Sequence, residues 1–132
     1  MILNEKELEE LLQGTNFTVD EFRCQCGCGV VKMNRDFVLK ILKLRELMAE
    51  PMNVNSGYRC AKHPKEIVKK KPWAGFHVKG EGVDIRVSSR KYRAKLDRLR
   101  SAAGITGVGV ANNYLHLDHR TWDALYVYPK TK

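Results

Sequence analysis

The stretch G-V-G-V-A-N-N-Y-L-H-L-D-H-R, residues 107–120, decides the fold. Two short strand-like runs flank Asn112-Asn113, a tight-turn signal of the two-residue hairpin kind. Asparagine tolerates the positive φ that such turns need. The reading is an antiparallel hairpin, with strands over 107–111 and 114–118. In the second strand Leu115 and Leu117 take one face, so His116 and Asp118 share the other. G-V-D-I-R-V at 82–87 alternates in the same way: Val83, Ile85 and Val87 face the core, and Asp84 and Arg86 face away. The glycines from Gly104 to Gly109 read as hairpin punctuation, because no helix begins there to make a phosphate-binding loop.

Working outward, two helices carry clear apolar stripes. The first follows a cap at Asn34 and repeats Phe37, Val38, Ile41, Leu42, Leu44 and Met48 until Pro51 stops it. The second follows Ser88 or Ser89, with Tyr92, Leu96, Leu99 and Ala103 in a stripe closed by Gly104. Asn4 caps a shorter helix bearing Leu8, Leu11 and Leu12. Residues 14–33 read as loop with a short strand at 17–19. A further strand covers 53–56, a short helix opens at Pro64, and an aromatic edge strand covers 122–128. The expected class is α+β: a mainly antiparallel sheet with two principal helices.

The chain has 132 residues. That length suits one domain over 1–132. Its 43% apolar and 30% charged residues are an ordinary globular balance, which excludes disorder and collagen-like repeats. No apolar run approaches the ~18–20 residues needed to span a bilayer. Residues 1–10 are acidic and lack the apolar segment of a signal peptide, so synthesis in the cytoplasm is expected.

The formal net charge is +9, unevenly spread. Residues 1–21 hold six acids and one base, whereas 62–71 hold five lysines and 86–100 hold seven bases. This excess suits an anionic partner, such as a cell-wall polymer. Nucleic acid ranks lowest, because no recognised motif and no aromatic interleaving accompany the basic segments.

Cys24, Cys26 and Cys28 form C-Q-C-G-C, and Cys60 and His63 follow in C-A-K-H. Disulfides are rare in a reducing cytosol, so clustered cysteines read first as a metal knuckle. Cys24, Cys26, Cys28, Cys60 and His63 are therefore candidate ligands of a structural metal, with free thiols or a disulfide as the alternatives.

His77 precedes a glycine turn in G-F-H-V-K-G-E-G-V-D-I-R, and Asp84 follows seven residues later. With His116 they form a two-histidine, one-carboxylate set. Such a set leaves one tetrahedral position open, the catalytic form of a zinc site. Burying these polar groups unpaired would cost several kcal/mol, so a core role does not explain them.

S-G-Y-R-C at 56–60, H-x-x-G-x-G-x-D from His77 to Asp84, and Y-L-H-L-D-H-R at 114–120 resemble the zinc D-alanyl-D-alanine peptidases. That family shares a fold with the hedgehog signalling domain. The likeness covers roughly residues 15–125. E-F-R-C-Q-C-G-C-G at 21–29 is similar to the opening of the small phage-type murein peptidases. The resemblance implies Zn²⁺ held by His77, Asp84 and His116. It implies that Arg59 approaches a substrate carbonyl or carboxylate, and that Asp118 is the candidate general base. His119 and Glu81 are the other candidates for the base, and His119 also for a ligand; alternation places His119 on the face opposite His116.

The chain departs from the family pattern at four places. Gly75 stands where serine is usual and Gly82 where alanine is common. Asn113 stands where some members carry an acid, and the usual asparagine near Pro64 is missing. The expected activity is hydrolysis of amide bonds in peptidoglycan stem peptides or cross-links. It would take place at the wall, after release or as part of a phage particle. The alternative is a non-catalytic zinc-stabilised module that binds cell-wall polymer, since fold does not fix function.

Overall fold

The computed structural model describes residues 1–128. Its elements run β1 (Ile2–Leu3), α1 (Glu5–Leu12), α2 (Val19–Phe22), β2 (Met33–Asn34), α3 (Arg35–Met48), β3 (Val54–Ser56) and α4 (Pro64–Ile67). They continue with β4 (Gly82–Arg86), α5 (Arg90–Ala102), β5 (Gly107–Val110), β6 (Tyr114–Asp118) and β7 (Ala124–Val127). The main sheet has the order β3-β4-β6-β5-β7; all neighbours are antiparallel except β5 and β7. The expected α+β class is therefore what the chain adopts, with α3 and α5 as its long helices.

Local chemistry sets the helix ends. Asn4 Oδ1 accepts from Glu7 N at 2.8 Å while Glu7 Oε1 accepts from Asn4 N at 3.1 Å, a reciprocal capping box. Asn34 Oδ1 accepts from Phe37 N at 3.0 Å, and Ser89 Oγ accepts from Tyr92 N at 3.0 Å. Helix α3 ends at Ala49, which takes the left-handed conformation at φ 55° two residues before Pro51.

The reading of residues 17–19 as a strand is corrected: Val19–Phe22 is a turn of helix. Thr18 and Glu21 have capping-box spacing, and Thr18 N donates to Glu21 Oε1 at 2.9 Å. The two-stranded pairing of β1 with β2 was also not expected. The strand at 122–128 is present as β7, at the sheet edge and parallel to β5.

One face of the sheet is core. Val83 and Ile85 of β4, Val108 of β5, and Leu115 and Leu117 of β6 have no exposed surface. They share one cluster with Phe37, Ile41 and Leu44 of α3 and Leu96 of α5. The alternate residues therefore project to the other face. There the register aligns Ser56, Asp84, His116, Gly109 and Tyr126 in one row across five strands. A second row aligns Gly82, Asp118, Gly107 and Ala124.

Candidate metal centre

Asp84 and His116 are direct cross-strand partners, so the strand register alone brings them together. His77 comes from the turn before β4. There Glu81 N donates to Phe76 O at 2.9 Å, and Gly80 takes φ 71° beside the backbone of β2. All three side chains are buried. His77 Nε2 lies 3.2 Å from Asp84 Oδ1 and 3.2 Å from His116 Nδ1, and His116 Nδ1 lies 3.1 Å from Asp84 Oδ1. The three atoms form a nearly equilateral triangle. A tetrahedral ion with bonds of about 2.0–2.1 Å sets its ligand atoms about 3.3–3.4 Å apart, so the triangle fits one face of such a site.

The outer ring nitrogens fix the chemistry of the inner ones. His77 Nδ1 lies 2.7 Å from the Gly57 carbonyl, and His116 Nε2 lies 2.8 Å from Asp118 Oδ2. A carbonyl and a carboxylate only accept, so both outer nitrogens donate. In neutral imidazoles the inner nitrogens then carry lone pairs. Two lone pairs and a carboxylate oxygen converge, buried, at a spacing that suits a cation. The orientation of each ring by a carbonyl or carboxylate is the usual support of metal-bound histidine.

Burial and neighbouring charges move the three groups in different directions. Burial pushes His77 below the usual imidazole range, and the charge of Arg59 adds to that effect. For Asp84, burial opposes ionisation, but hydrogen bonds from His116 and His77 outweigh it and hold the carboxyl well below the usual range. For His116 the burial penalty is outweighed by Asp118 and Asp84, which move it upward.

Arg59 is buried, and each of its three side-chain nitrogens has a partner. Its Nη2 donates to Asp84 Oδ2 at 2.9 Å, Nη1 to Glu66 Oε2 at 3.2 Å and Nε to Ser56 Oγ at 3.0 Å. Asp84 thus turns one oxygen to the imidazoles and gives the other to Arg59. Glu66 has no exposed surface and is held on its other oxygen by Lys69 Nζ at 2.9 Å. A Cβ on Gly75 would lie 2.9 Å from Glu66 Oε1. Glu66 therefore occupies the space that a side chain at that position would take, which accounts for the glycine there.

Asp118 also has no exposed surface. Besides His116, it accepts from Arg120 Nε at 2.8 Å on Oδ1 and from Arg120 Nη2 at 2.6 Å on Oδ2. Burial raises its carboxyl, but Arg120 and His116 more than reverse this. Both oxygens are paired on the side of His116 away from the triangle. Glu81 and His119 pair with each other at 2.8 Å, and the His119 ring packs edge-on against Phe37 of α3. Neither belongs to the group of ligand atoms around His77, Asp84 and His116.

Several supporting residues carried no readable signal. Gly107 and Gly109 are not hairpin punctuation. A Cβ on Gly107 would overlap Asp118 Oδ1, and one on Gly109 would press on the Tyr126 ring. They make room on β5 for the Asp118–Arg120 pair and for Tyr126, whose ring centre lies 6.1 Å from that of His116. Arg120 also spans the faces of Phe76 and Tyr126, at 4.7 and 5.4 Å. Its position two residues after Asp118, just beyond the strand end, was the only available hint.

The cysteines also converge. The sulfurs of Cys24, Cys26, Cys28 and Cys60 all lie within 4.8 Å of one another. His63 is corrected out of this set: its Nδ1 accepts from Lys65 N at 3.1 Å and caps α4.

Fold and donor set together give an α+β chain in which His77, Asp84 and His116 could hold a metal ion. Residues 15–118 match the model of the family described as Peptidase M15, and the chain belongs to that family of zinc-dependent peptidases. No curated protein matches the chain. No helix among the described residues is long and apolar enough to cross a membrane.

Proposed function

We propose that this chain, as one domain over 1–132, is a zinc-dependent peptidase that hydrolyses amide bonds in peptidoglycan stem peptides or cross-links. It would act as a D-Ala-D-Ala-type carboxypeptidase or endopeptidase of the small phage-type kind. The observation that carries this reading is the buried triangle of His77 Nε2, His116 Nδ1 and Asp84 Oδ1, with both outer ring nitrogens turned to acceptors. Zinc held there supplies Lewis acidity, polarising a carbonyl and lowering the pKa of water toward ~7.

The chain's own residues do the positioning. Gly57 and Asp118 fix the two rings, and Arg59 fixes Asp84. Asp118 orients His116, and Arg59 holds Asp84 while also lining the cleft where a substrate carbonyl or carboxylate would lie. Beside Asp84 lies a cleft of about 240 Å³ whose lining includes Gln25, Asn55, His63, Lys65 and Tyr114. Lys65 gives it a cation for the carboxylate of a stem peptide. The basic segments 62–71 and 86–100 add attraction to anionic wall polymers.

The test is mass spectrometry of muropeptides after digestion of murein from several wall types, with a zinc assay on the same sample. New amide-cleaved products that vanish in His77→Ala are expected. Full zinc loading with unchanged muropeptides would overturn the assignment. Two observations favour the second reading, a zinc-stabilised wall-binding module: Asn113 is neutral, and both Asp118 oxygens are already paired. A module would be retained on sacculi without cutting them.

A further inference from the structure

The four cysteines stand outside the centre just described, yet they contact the segment that builds it. Cys24 and Cys26 sulfurs are 3.4 Å apart, as are those of Cys26 and Cys60. A disulfide needs about 2.05 Å, and all four residues are free thiols. A tetrahedral zinc–thiolate site, with bonds of about 2.3 Å, spaces its sulfurs about 3.8 Å apart. The observed cluster, from 3.4 Å to within 4.8 Å, brackets that edge.

The backbone is shaped for convergence. Gly27 and Gly29 take φ 95° and 73°, left-handed conformations on either side of Cys28, and the four sulfurs gather with Cys24 buried and Cys26 and Cys28 at the surface. Amides point at the sulfurs: Cys60 N donates to Cys24 Sγ at 3.3 Å and Val30 N to Cys28 Sγ at 3.5 Å. Such donors stabilise thiolate over thiol. On binding a divalent cation each thiol gives its proton to solvent, leaving a doubly negative cluster.

The location gives the cluster a task. Cys60 adjoins Arg59, which holds Asp84, and lies three residues from Gly57, whose carbonyl orients His77. The cysteine loop already grips this segment through Gln25 Nε2, which donates to Asn55 O at 2.8 Å. Tyr58 N donates to Phe22 O at 2.9 Å, and Gly57 packs so closely on Phe22 that a Cβ there would lie 2.7 Å from its Cα. We propose that Cys24, Cys26, Cys28 and Cys60 bind a second, structural zinc ion that staples residues 24–28 to the segment carrying Gly57 and Arg59, and so positions the open centre.

This inference stands whether or not the chain cleaves murein, and its test reads metal, not turnover. Protein purified under reducing conditions should hold two zinc ions per chain, and His77→Ala should hold one. In His77→Ala, X-ray absorption should show zinc surrounded by sulfur only. Cobalt in its place should give thiolate charge-transfer bands and the visible bands of a tetrahedral ion. Cys28→Ser should lose the all-sulfur ion and weaken zinc binding at the remaining centre by about 10–100-fold. If the variants fail to fold, the wild-type zinc count and its sulfur signature decide the matter alone. One zinc ion per wild-type chain without sulfur ligands would overturn the proposal. So would zinc-saturated protein whose four thiols alkylate freely, or a mass showing that they have paired as disulfides.

Discussion

At the scale of single residues, the outer partners of the histidines matter as much as the ligands. Asp118→Asn keeps the shape but takes charge from the group that faces His116 and Arg120. It should weaken zinc binding by about 10–100-fold, read by competition with a chromogenic chelator. Unchanged affinity would remove Asp118 from the support of the centre. Glu66 gives a pH prediction. Burial works against its ionisation, but Lys69 and Arg59 outweigh this and lower its pKa in the folded state. The unfolded chain therefore takes up the proton first as pH falls. The stability owed to Glu66 is complete above its unfolded value of about 4.3 and is lost at lower pH. Glu66→Gln should flatten that part of the stability–pH curve in urea titrations; an identical slope would exclude the linkage.

At the scale of elements, capping and the sheet register can be tested separately. Asn34→Ala removes the acceptor for Phe37 N at the start of α3 and should cost about 1 kcal/mol in denaturant unfolding. Gly107→Ala would force a methyl into Asp118. It should destabilise by about 1–3 kcal/mol and also weaken zinc binding, a pairing of effects that a cap mutation should not show. The residue periods also explain what was legible. Strict alternation in 82–87 and 114–118 assigned Asp84, His116 and Asp118 to one face, because a period of two leaves no other choice. It likewise set His119 apart. Val19–Phe22 escaped because a single helical turn is too short to show a period. Gly107 and Gly109 were misread because their reason lies across the sheet, in side chains from β6 and β7. Glu66 and Arg120 were hard to read because their more distant partners, Arg59 for the one and the Phe76 and Tyr126 rings for the other, are brought together only by tertiary packing.

At the scale of the whole molecule, the centre draws on distant stretches. Gly57, Arg59, His77, Asp84, His116 and Asp118 meet only when β3, β4 and β6 are paired and the turn before β4 is in place. The row from Ser56 to Tyr126 crosses all five strands of the main sheet. Contacts so far apart in sequence close late, after the entropy of the intervening loops has been lost. The cation should therefore find its three ligands only in a nearly finished chain. In stopped-flow chevrons, zinc should leave the refolding arm where it is and slow the unfolding arm, lengthening the lifetime of the native state without hastening its birth.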